Sequence, residues 1–472
     1  MKLCLHIIYG GALLMEVSKN KSTTMTKLFP ILENKGVDIK KEIMAGVTTF
    51  LTMAYIIAVN PSILSQAGME PGALVTGTCL AAAIGCFIMG VIANLPFALA
   101  SGMGLNAYFA YTVVLGMGVS WEIALTAVFV EGIIFIVLSL CKVREAVVNA
   151  IPVNMKLAVS GGIGLFIAII GCINCGLVVN SDATLIAMGN FTPAVIISCV
   201  GIVVIAVLSK RNIKGSILIG IVICSLMAWG YALSNPSAAA EYGIYLPNGI
   251  FKFESPMPIA GKLDFSYAMN PANLTNFILV CCTFLFVDFF DTVGTIVGVA
   301  SKANMLDEDG NVPHAGRALL ADALATTIGS ALGVSTVTTY VESSTGVVEG
   351  GRTGYTAITV GVLFIVAMFF SPIFIAIPSC ATSPALIYVG YLMLSAVKDI
   401  DFADITEGVP AFMTIGAMAF TYSIGDGLTL GVLSYVVINL LYNLITPKEE
   451  RKKVSVIMVV LAFLFVLKLI YL

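Results

Sequence analysis

The stretch ALASGMGLNAYFAYT, residues 98–112, interrupts a chain that is otherwise rich in Leu, Ile and Val. A second stretch of the same kind, ALGVSTVTTYVESSTGVVEGG, spans residues 331–351. Irregular backbone at membrane depth is tolerated only where protein buries it or where it lines a polar cavity. Paired interruptions in corresponding positions are the best sequence indicator of a transporter's binding site. Close helix packing at small residues is the alternative explanation, but it does not account for Asn106 or Glu342.

The composition indicates that most of the chain lies in a lipid bilayer. Of 472 residues, 59% are hydrophobic and only 11% are charged, with a mean hydropathy of +1.01. Soluble domains carry roughly 25% charged residues. A spanning helix needs about 20 mostly apolar residues, and the chain holds about fourteen such runs. We therefore expect an all-α polytopic membrane protein with no soluble enzymatic domain. The net charge of −3 gives no indication of a nucleic-acid partner.

The predicted membrane segments fall into two sets. The first set is 44–62, 74–95, 103–118, 121–141, 156–173, 191–209 and 215–233, and the second is 275–300, 316–333, 337–350, 355–377, 382–397, 408–424 and 427–446. Lys and Arg collect after the even-numbered spans, which places those loops and the N-terminus in the cytoplasm. An odd number of spans inverts the second half, so we expect two inverted seven-helix repeats.

This topology divides the chain into five parts. They are a cytoplasmic segment 1–43, a first repeat 44–233, an extracytoplasmic connection 234–274, a second repeat 275–446 and a basic and hydrophobic segment 447–472. Whether 454–472 crosses the membrane is left open. So is the start of translation, at Met1 or at Met15.

FVDFFDTVGT, residues 286–295, carries two acidic residues in one of the most apolar regions. Ionisable groups at the centre of a membrane helix are rare and usually face a pathway or a partner. Asp288 and Asp291 share a helical face, and Thr295 continues it. Phe286, Phe289 and Phe290 could form a planar wall for an aromatic ligand, although contact with lipid or packing in the core is the more common role of a single Phe. Because no basic residue lies in this span, the carboxylates are either protonated or change charge during a cycle. Proton coupling follows from the second case.

Four motifs together carry a family resemblance. They are GMGLNAYFA (102–110), FLFVDFFDTVGT (284–295), GRALLADA (316–323) and TYVESSTGVVEGGRTG (339–354). With them the chain resembles the AzgA-like purine permeases, the hypoxanthine, guanine and adenine branch of the nucleobase–ascorbate transporter (nucleobase:cation symporter-2) superfamily. The resemblance extends from residue 34 to residue 427. It implies a core domain and a gate domain, short strands in the third and tenth segments that meet at the substrate, and purine–proton symport.

The resemblance also implies a set of site residues. Glu342 is expected to recognise the base, and Asp291 to recognise it or couple its transport to protons. Asp288 and Asn106 are further polar residues needed for transport, and Asp288 and Glu342 are also candidates for proton coupling. The predicted substrate site is completed by Phe290, Thr295 and Ser343. Where the family has Pro, this chain has Ser101, which we expect to end a strand and cap the half-helix that follows.

Several alternatives remain at this stage. An adenine permease would share these motifs with a guanine/hypoxanthine permease. An anion transporter of the same architecture would favour a positive or neutral site, and an intramembrane enzyme would need a metal cluster or an activated nucleophile. With two histidines in the chain, no metal or other cofactor is expected. A plasma-membrane location and a possible homodimer complete the expectations.

Overall fold

The computed structural model describes residues 37–140, 151–302, 314–447 and 451–471, together with residues 31, 305 and 312. The choice between Met1 and Met15 lies outside these residues. Most of the predicted cytoplasmic segment 1–43 does so as well.

The first half of the chain is helical, with three short strands. Its elements are α1 (Ile39–Met53), α2 (Ile56–Leu64), α3 (Pro71–Ile88), β1 (Leu99–Ser101), α4 (Met103–Ala107), α5 (Trp121–Leu140), α6 (Val153–Asn174), β2 (Val178–Ser181), β3 (Leu185–Met188), α7 (Pro193–Lys210), α8 (Ser216–Ser234) and α9 (Pro236–Glu241). Helix α3 continues as π-helix to Ala93, and α4 continues as π-helix to Gly116. The antiparallel hairpin β2–β3 was not predicted from the sequence.

The second half of the chain is helical, with one short strand. Its elements are α10 (Ser266–Met269), α11 (Pro271–Lys302), α12 (Ala315–Ala331), β4 (Val337–Thr339), α13 (Ser343–Val348), α14 (Gly354–Ala367), α15 (Ser371–Ile375), α16 (Ser379–Leu394), α17 (Ile405–Phe420), α18 (Ile424–Ile445) and α19 (Val456–Tyr471). The span predicted at 355–377 was too long, because its helix ends at Ala367 and a separate short helix follows.

Every predicted span overlaps one of these helices. Within the described part of the chain, nine helical stretches are long and apolar enough to cross a membrane, and three shorter apolar helices accompany them. The C-terminal run belongs to the shorter class, over Val456–Val466. The protein is therefore a multi-pass membrane protein.

Local sequence signals explain where several helices begin. Asp38 accepts hydrogen bonds from the first backbone amides of α1, and Glu70 does so for α3, where Pro71 takes the first helical position. Ser423 caps α18 in the same way. Such side chains satisfy amides that have no partner within the helix.

Helix contacts sort the chain into two packed groups. In the first, α1, α3, α5, α12 and α14 pack on one another, and in the second, α6, α7, α8, α16, α17 and α18 do so. Each group draws helices from both halves of the sequence. Gly85 lets α3 pack closely against β1 and α12. A Cβ added at Gly85 would lie 3.2 Å from the side chain of Leu99 and 3.1 Å from that of Ala325.

Candidate functional site

The two interrupted stretches meet as a pair of short antiparallel strands. Strand β1 pairs with β4, with Leu99 opposite Thr339, Ala100 opposite Thr338 and Ser101 opposite Val337. Backbone hydrogen bonds continue the pairing at both ends, from Gly102 to Thr336 and from Tyr340 to Ala98. The strands expected in the third and tenth segments are thus present and in contact.

A helix begins directly after each strand. Helix α4 starts at Met103, two residues past β1, and α13 starts at Ser343, four residues past β4. Neither start carries a side-chain cap in this structure. The first amides of a helix lack intrahelical partners and carry partial positive charge. In α13, turn-type bonds supply those partners, because the amides of Ser343, Ser344 and Thr345 donate to the carbonyls of Tyr340, Val341 and Glu342.

Two acidic residues lie together at this point. The Tyr55 hydroxyl donates a hydrogen bond of 2.7 Å to Oε1 of Glu342. Asp291 on α11 interacts electrostatically with Glu342 and hydrogen-bonds the Thr338 side chain. In the described part of the chain, none of the salt bridges involves Asp291 or Glu342. The fold thus lets Asp291 and Glu342 influence each other electrostatically.

Asp288 takes part in a different network, although it shares a helix with Asp291. Thr292 lies 3.4 Å from Asp288 and donates to Asp322 on α12 at 2.8 Å. The Thr339 hydroxyl also donates to Asp322, at 3.0 Å. Asp288 is fully buried. Its network joins α11 and α12 to β4, one strand residue away from the contact that Asp291 makes with Thr338.

Asn106 lies on α4 and is fully buried. Its Oδ1 accepts a hydrogen bond of 2.8 Å from the Ser101 hydroxyl. Ser101 ends β1 as expected, but the expectation that it caps the half-helix was wrong. Gly102 occupies the cap position without a side-chain bond, because the hydroxyl of Ser101 reaches past the helix start to the amide of Asn106.

The remaining predicted residues differ in what the structure places around them. The Ser343 hydroxyl accepts from the Ala98 amide at 2.9 Å, so it fastens the two interrupted stretches together. Thr295 is buried on α11, one turn beyond Asp291. The side chain of Phe290 lies outside the described residues.

The sequence did not reveal three residues of the site. Tyr55 lies between α1 and α2 and contacts Glu342, Tyr340 donates to the Ser101 carbonyl at 2.5 Å, and Thr338 contacts Asp291. The two tyrosines are ordinary apolar-span residues by composition, and only the break between α1 and α2 sets Tyr55 apart. No local pattern links Tyr55 to Glu342, because 287 residues separate them along the chain.

Comparison with known proteins shows which family the chain is similar to. A model of the permease family, Xan_ur_permease, matches residues 40–428. The chain is 46% identical to the permease MJ0326 of Methanocaldococcus jannaschii, covering 93% of this chain and 97% of the relative. It is 39% identical to the adenine permease AdeP of Escherichia coli, covering 95% and 96%. It is 40% identical to the guanine/hypoxanthine permease PbuG of Bacillus subtilis, covering 94% and 100%.

Solved structures with little sequence similarity share the fold. The transmembrane domain of the cyanobacterial bicarbonate transporter BicA matches with a TM-score of 0.61 and 12% identity, covering 83% of this chain and 98% of that one. The murine Solute Carrier 26 family member A9 anion transporter, in its inward-facing state, matches with a TM-score of 0.64 and 12% identity, covering 89% and 72%. The family match and the close relatives identify a transporter rather than an enzyme, and the chain belongs to the AzgA-like permeases of the nucleobase–ascorbate transporter superfamily.

Proposed function

We propose that this permease imports purine nucleobases by proton symport across the plasma membrane, with guanine and hypoxanthine as preferred substrates. One observation carries the proposal, namely the pair of interacting carboxylates, Asp291 and Glu342, at the strand crossing where two half-helices begin. The relatives named above as adenine and guanine/hypoxanthine permeases support the purine class.

The chemistry of the site suits a nucleobase. A carboxylate accepts two hydrogen bonds side by side, which matches the N1–H and amino group of guanine or the N1–H of hypoxanthine. Tyr55 donates to one oxygen of Glu342, and we assign recognition of the base to this same carboxylate. Asn106 adds an amide within the same pair of interrupted stretches. Glu342 therefore serves recognition, and Asp291 serves recognition or proton coupling.

Proton coupling follows from the lack of a fixed cation at the carboxylates. Because the described salt bridges leave Asp291 and Glu342 without a basic partner, a proton is the natural counter-charge at this depth. Binding of one proton removes the repulsion between the two carboxylates. Release of that proton returns the site to its charged state for the next transport cycle. Asp288 belongs to the neighbouring network with Thr292 and Asp322, from which it can exchange protons with the same site.

The proposal extends to the architecture. We assign fourteen segments in two inverted repeats, with the first packed group as the core domain and the second as the gate domain, moving against each other to give alternating access. The likeness to BicA and to the murine anion transporter supports this fold. The positions of Lys and Arg support a cytoplasmic N-terminus, and a homodimer is the assembly we expect.

Two alternatives share the fold. An adenine permease would use the same carboxylates to bind another edge of the base. The 39% identity to the adenine permease AdeP supports this alternative. An anion transporter would need to bind its substrate beside Asp291 and Glu342. The two acidic side chains, without a described basic partner, disfavour that substrate class.

Uptake of labelled hypoxanthine in cells that lack their own nucleobase permeases tests the proposal. Guanine, adenine, xanthine and uracil serve as competitors, with and without a protonophore. We expect protonophore-sensitive uptake that guanine blocks, loss of uptake in Glu342→Gln, and retained uptake in Glu122→Gln, which changes a glutamate in the first turn of α5. Block by adenine alone would assign the chain to the adenine permeases. No uptake of any purine, with the protein in the membrane, would refute purine transport.

A further inference from the structure

The amide of Asn106 is held from one side only. The Ser101 hydroxyl donates to Oδ1 of Asn106 at 2.8 Å, and both side chains are fully buried. Ser101 itself is held in place, because it pairs with Val337 in the strand ladder and its carbonyl accepts from Tyr340. The acceptor end of the amide is therefore occupied by a donor that cannot easily move.

The donor end of the same amide is unused. Within the described part of the chain, Nδ2 of Asn106 has no hydrogen-bond partner, and the residue has no exposed surface. Buried amide groups are almost always hydrogen-bonded, since leaving one unpaired is costly. An unpaired –NH2 beside a ligand site therefore indicates an acceptor atom that the ligand supplies.

Asn106 and the carboxylates are joined by a short series of contacts. Gly102, between Ser101 and α4, approaches Thr338 so closely that an added Cβ would lie 3.0 Å from its hydroxyl. Thr338 in turn hydrogen-bonds Asp291, which interacts with Glu342. The free –NH2 thus belongs to the same strand crossing as the two carboxylates.

We propose that Ser101 is a positioning residue that fixes Asn106 as a hydrogen-bond donor toward the substrate. The site then offers a donor at Asn106 and an acceptor at Glu342. This inference rests on the proposed purine transport and narrows its substrate class. A 6-oxopurine carries an acceptor, O6, next to the N1–H donor, whereas adenine carries a donor amino group next to the acceptor N1. The arrangement therefore selects 6-oxopurines over adenine.

Kinetics of hypoxanthine and adenine uptake test the proposal in the full chain. The variants are Ser101→Ala, Asn106→Asp and the double variant, with Ser198→Ala as control. Ser198 is a buried serine whose hydroxyl donates to the backbone carbonyls of Ala194 and Cys380 in the second packed group. Asn106→Asp keeps the acceptor for Ser101 and removes the –NH2 donor.

We expect Ser101→Ala to raise the KM for hypoxanthine about fivefold to tenfold with little change in Vmax, the size of one ordinary hydrogen bond. The preference for hypoxanthine over adenine should narrow, because a freed amide can turn its oxygen toward adenine's amino group. Asn106→Asp should raise the hypoxanthine KM further. Adding Ser101→Ala to Asn106→Asp should change little, since the donor is already gone.

Four results would overturn the assignment while purine transport stands. They are a fall in Vmax with KM unchanged in Ser101→Ala, an unchanged hypoxanthine KM in Asn106→Asp, fully additive effects in the double variant, and a wild-type preference for adenine. An equal KM shift in Ser198→Ala would mark a general packing effect and would also overturn it. A wild-type protein that takes up no purine would instead refute the proposed function itself.

Discussion

Replacing Tyr55 by Phe tests whether the hydrogen bond to Glu342 supports substrate recognition. Tyr55 is fully buried, and its hydroxyl lies 2.7 Å from Oε1 of Glu342. Phe fills almost the same volume, so the change removes one donor with little loss of packing. A hydrogen bond to a charged group contributes about 1.5–3 kcal/mol. If that bond holds Glu342 for the base, its loss corresponds to about a tenfold to 150-fold rise in KM.

The assay is initial-rate uptake of labelled hypoxanthine over a range of concentrations, normalised to the amount of protein in the membrane. Tyr388→Phe is the matched control, because that tyrosine donates to the Ser209 hydroxyl in the second packed group. We expect the KM to rise in Tyr55→Phe and to stay near wild type in Tyr388→Phe. A KM within twofold of wild type in Tyr55→Phe, with Glu342→Gln inactive, would refute the orienting role of Tyr55.

Three further predictions concern the strand crossing and the ends of helices. In Gly102→Ala, the new Cβ would lie 3.0 Å from the Thr338 hydroxyl and 3.1 Å from its methyl group. Uptake should therefore fall about tenfold or more, with a normal amount of protein in the membrane. Adding Thr338→Ser, which removes that methyl group, should partly restore uptake. Glu42 is buried and accepts from the Arg352 and Thr353 amides and the Thr356 hydroxyl, so Glu42→Ala should cost about 1–3 kcal/mol per stranded donor. A melting curve in detergent should show a larger drop in Tm for Glu42→Ala than for Glu42→Gln. The hydrogen bond from Lys452 holds the pKa of Asp404 below 3.8. The ionised carboxylate therefore stabilises the folded state above that pH, and this stabilisation is lost as the pH falls through the lowered pKa. Lys452→Gln should therefore lower the free energy of unfolding near neutral pH by about 0.2–1 kcal/mol for such a partly exposed pair, which a small drop in Tm would report. This drop should shrink below pH 3.8, and a constant drop would contradict the assignment.

Much of the fold followed from local sequence. The runs of apolar residues located the helices, since a helix that crosses a bilayer must satisfy its backbone internally and present apolar side chains. The interrupted stretches located β1 and β4, and the family motifs pointed to Glu342 in the second stretch and to Asp291 in the apolar stretch 286–295. Where a short-range signal decided the outcome, as with Glu70 at the start of α3, the sequence was sufficient.

Other features depended on approach between distant segments. The shared helical face suggested that Asp288 and Asp291 act together, yet Asp288 joins Thr292 and Asp322 while Asp291 joins Thr338. The i, i+3 spacing leaves enough angular offset for the two side chains to contact different neighbours. Which neighbours those are depends on how α12 and β4 pack against α11.

The sequence by itself determined that this is a polytopic membrane protein of the permease family, with two interrupted stretches and with acidic residues both in an apolar span and in the second of those stretches. Hydropathy and motif spacing carry that information, because both are properties of short stretches. Only the tertiary structure decided that Tyr55 contacts Glu342, that Ser101 holds the amide of Asn106 instead of capping a helix, and that Asp288 and Asp291 enter separate networks. Each of those contacts joins two side chains within the packed core. Which side chains meet depends on how the strands and helices are placed relative to one another, and no short stretch of sequence encodes that placement.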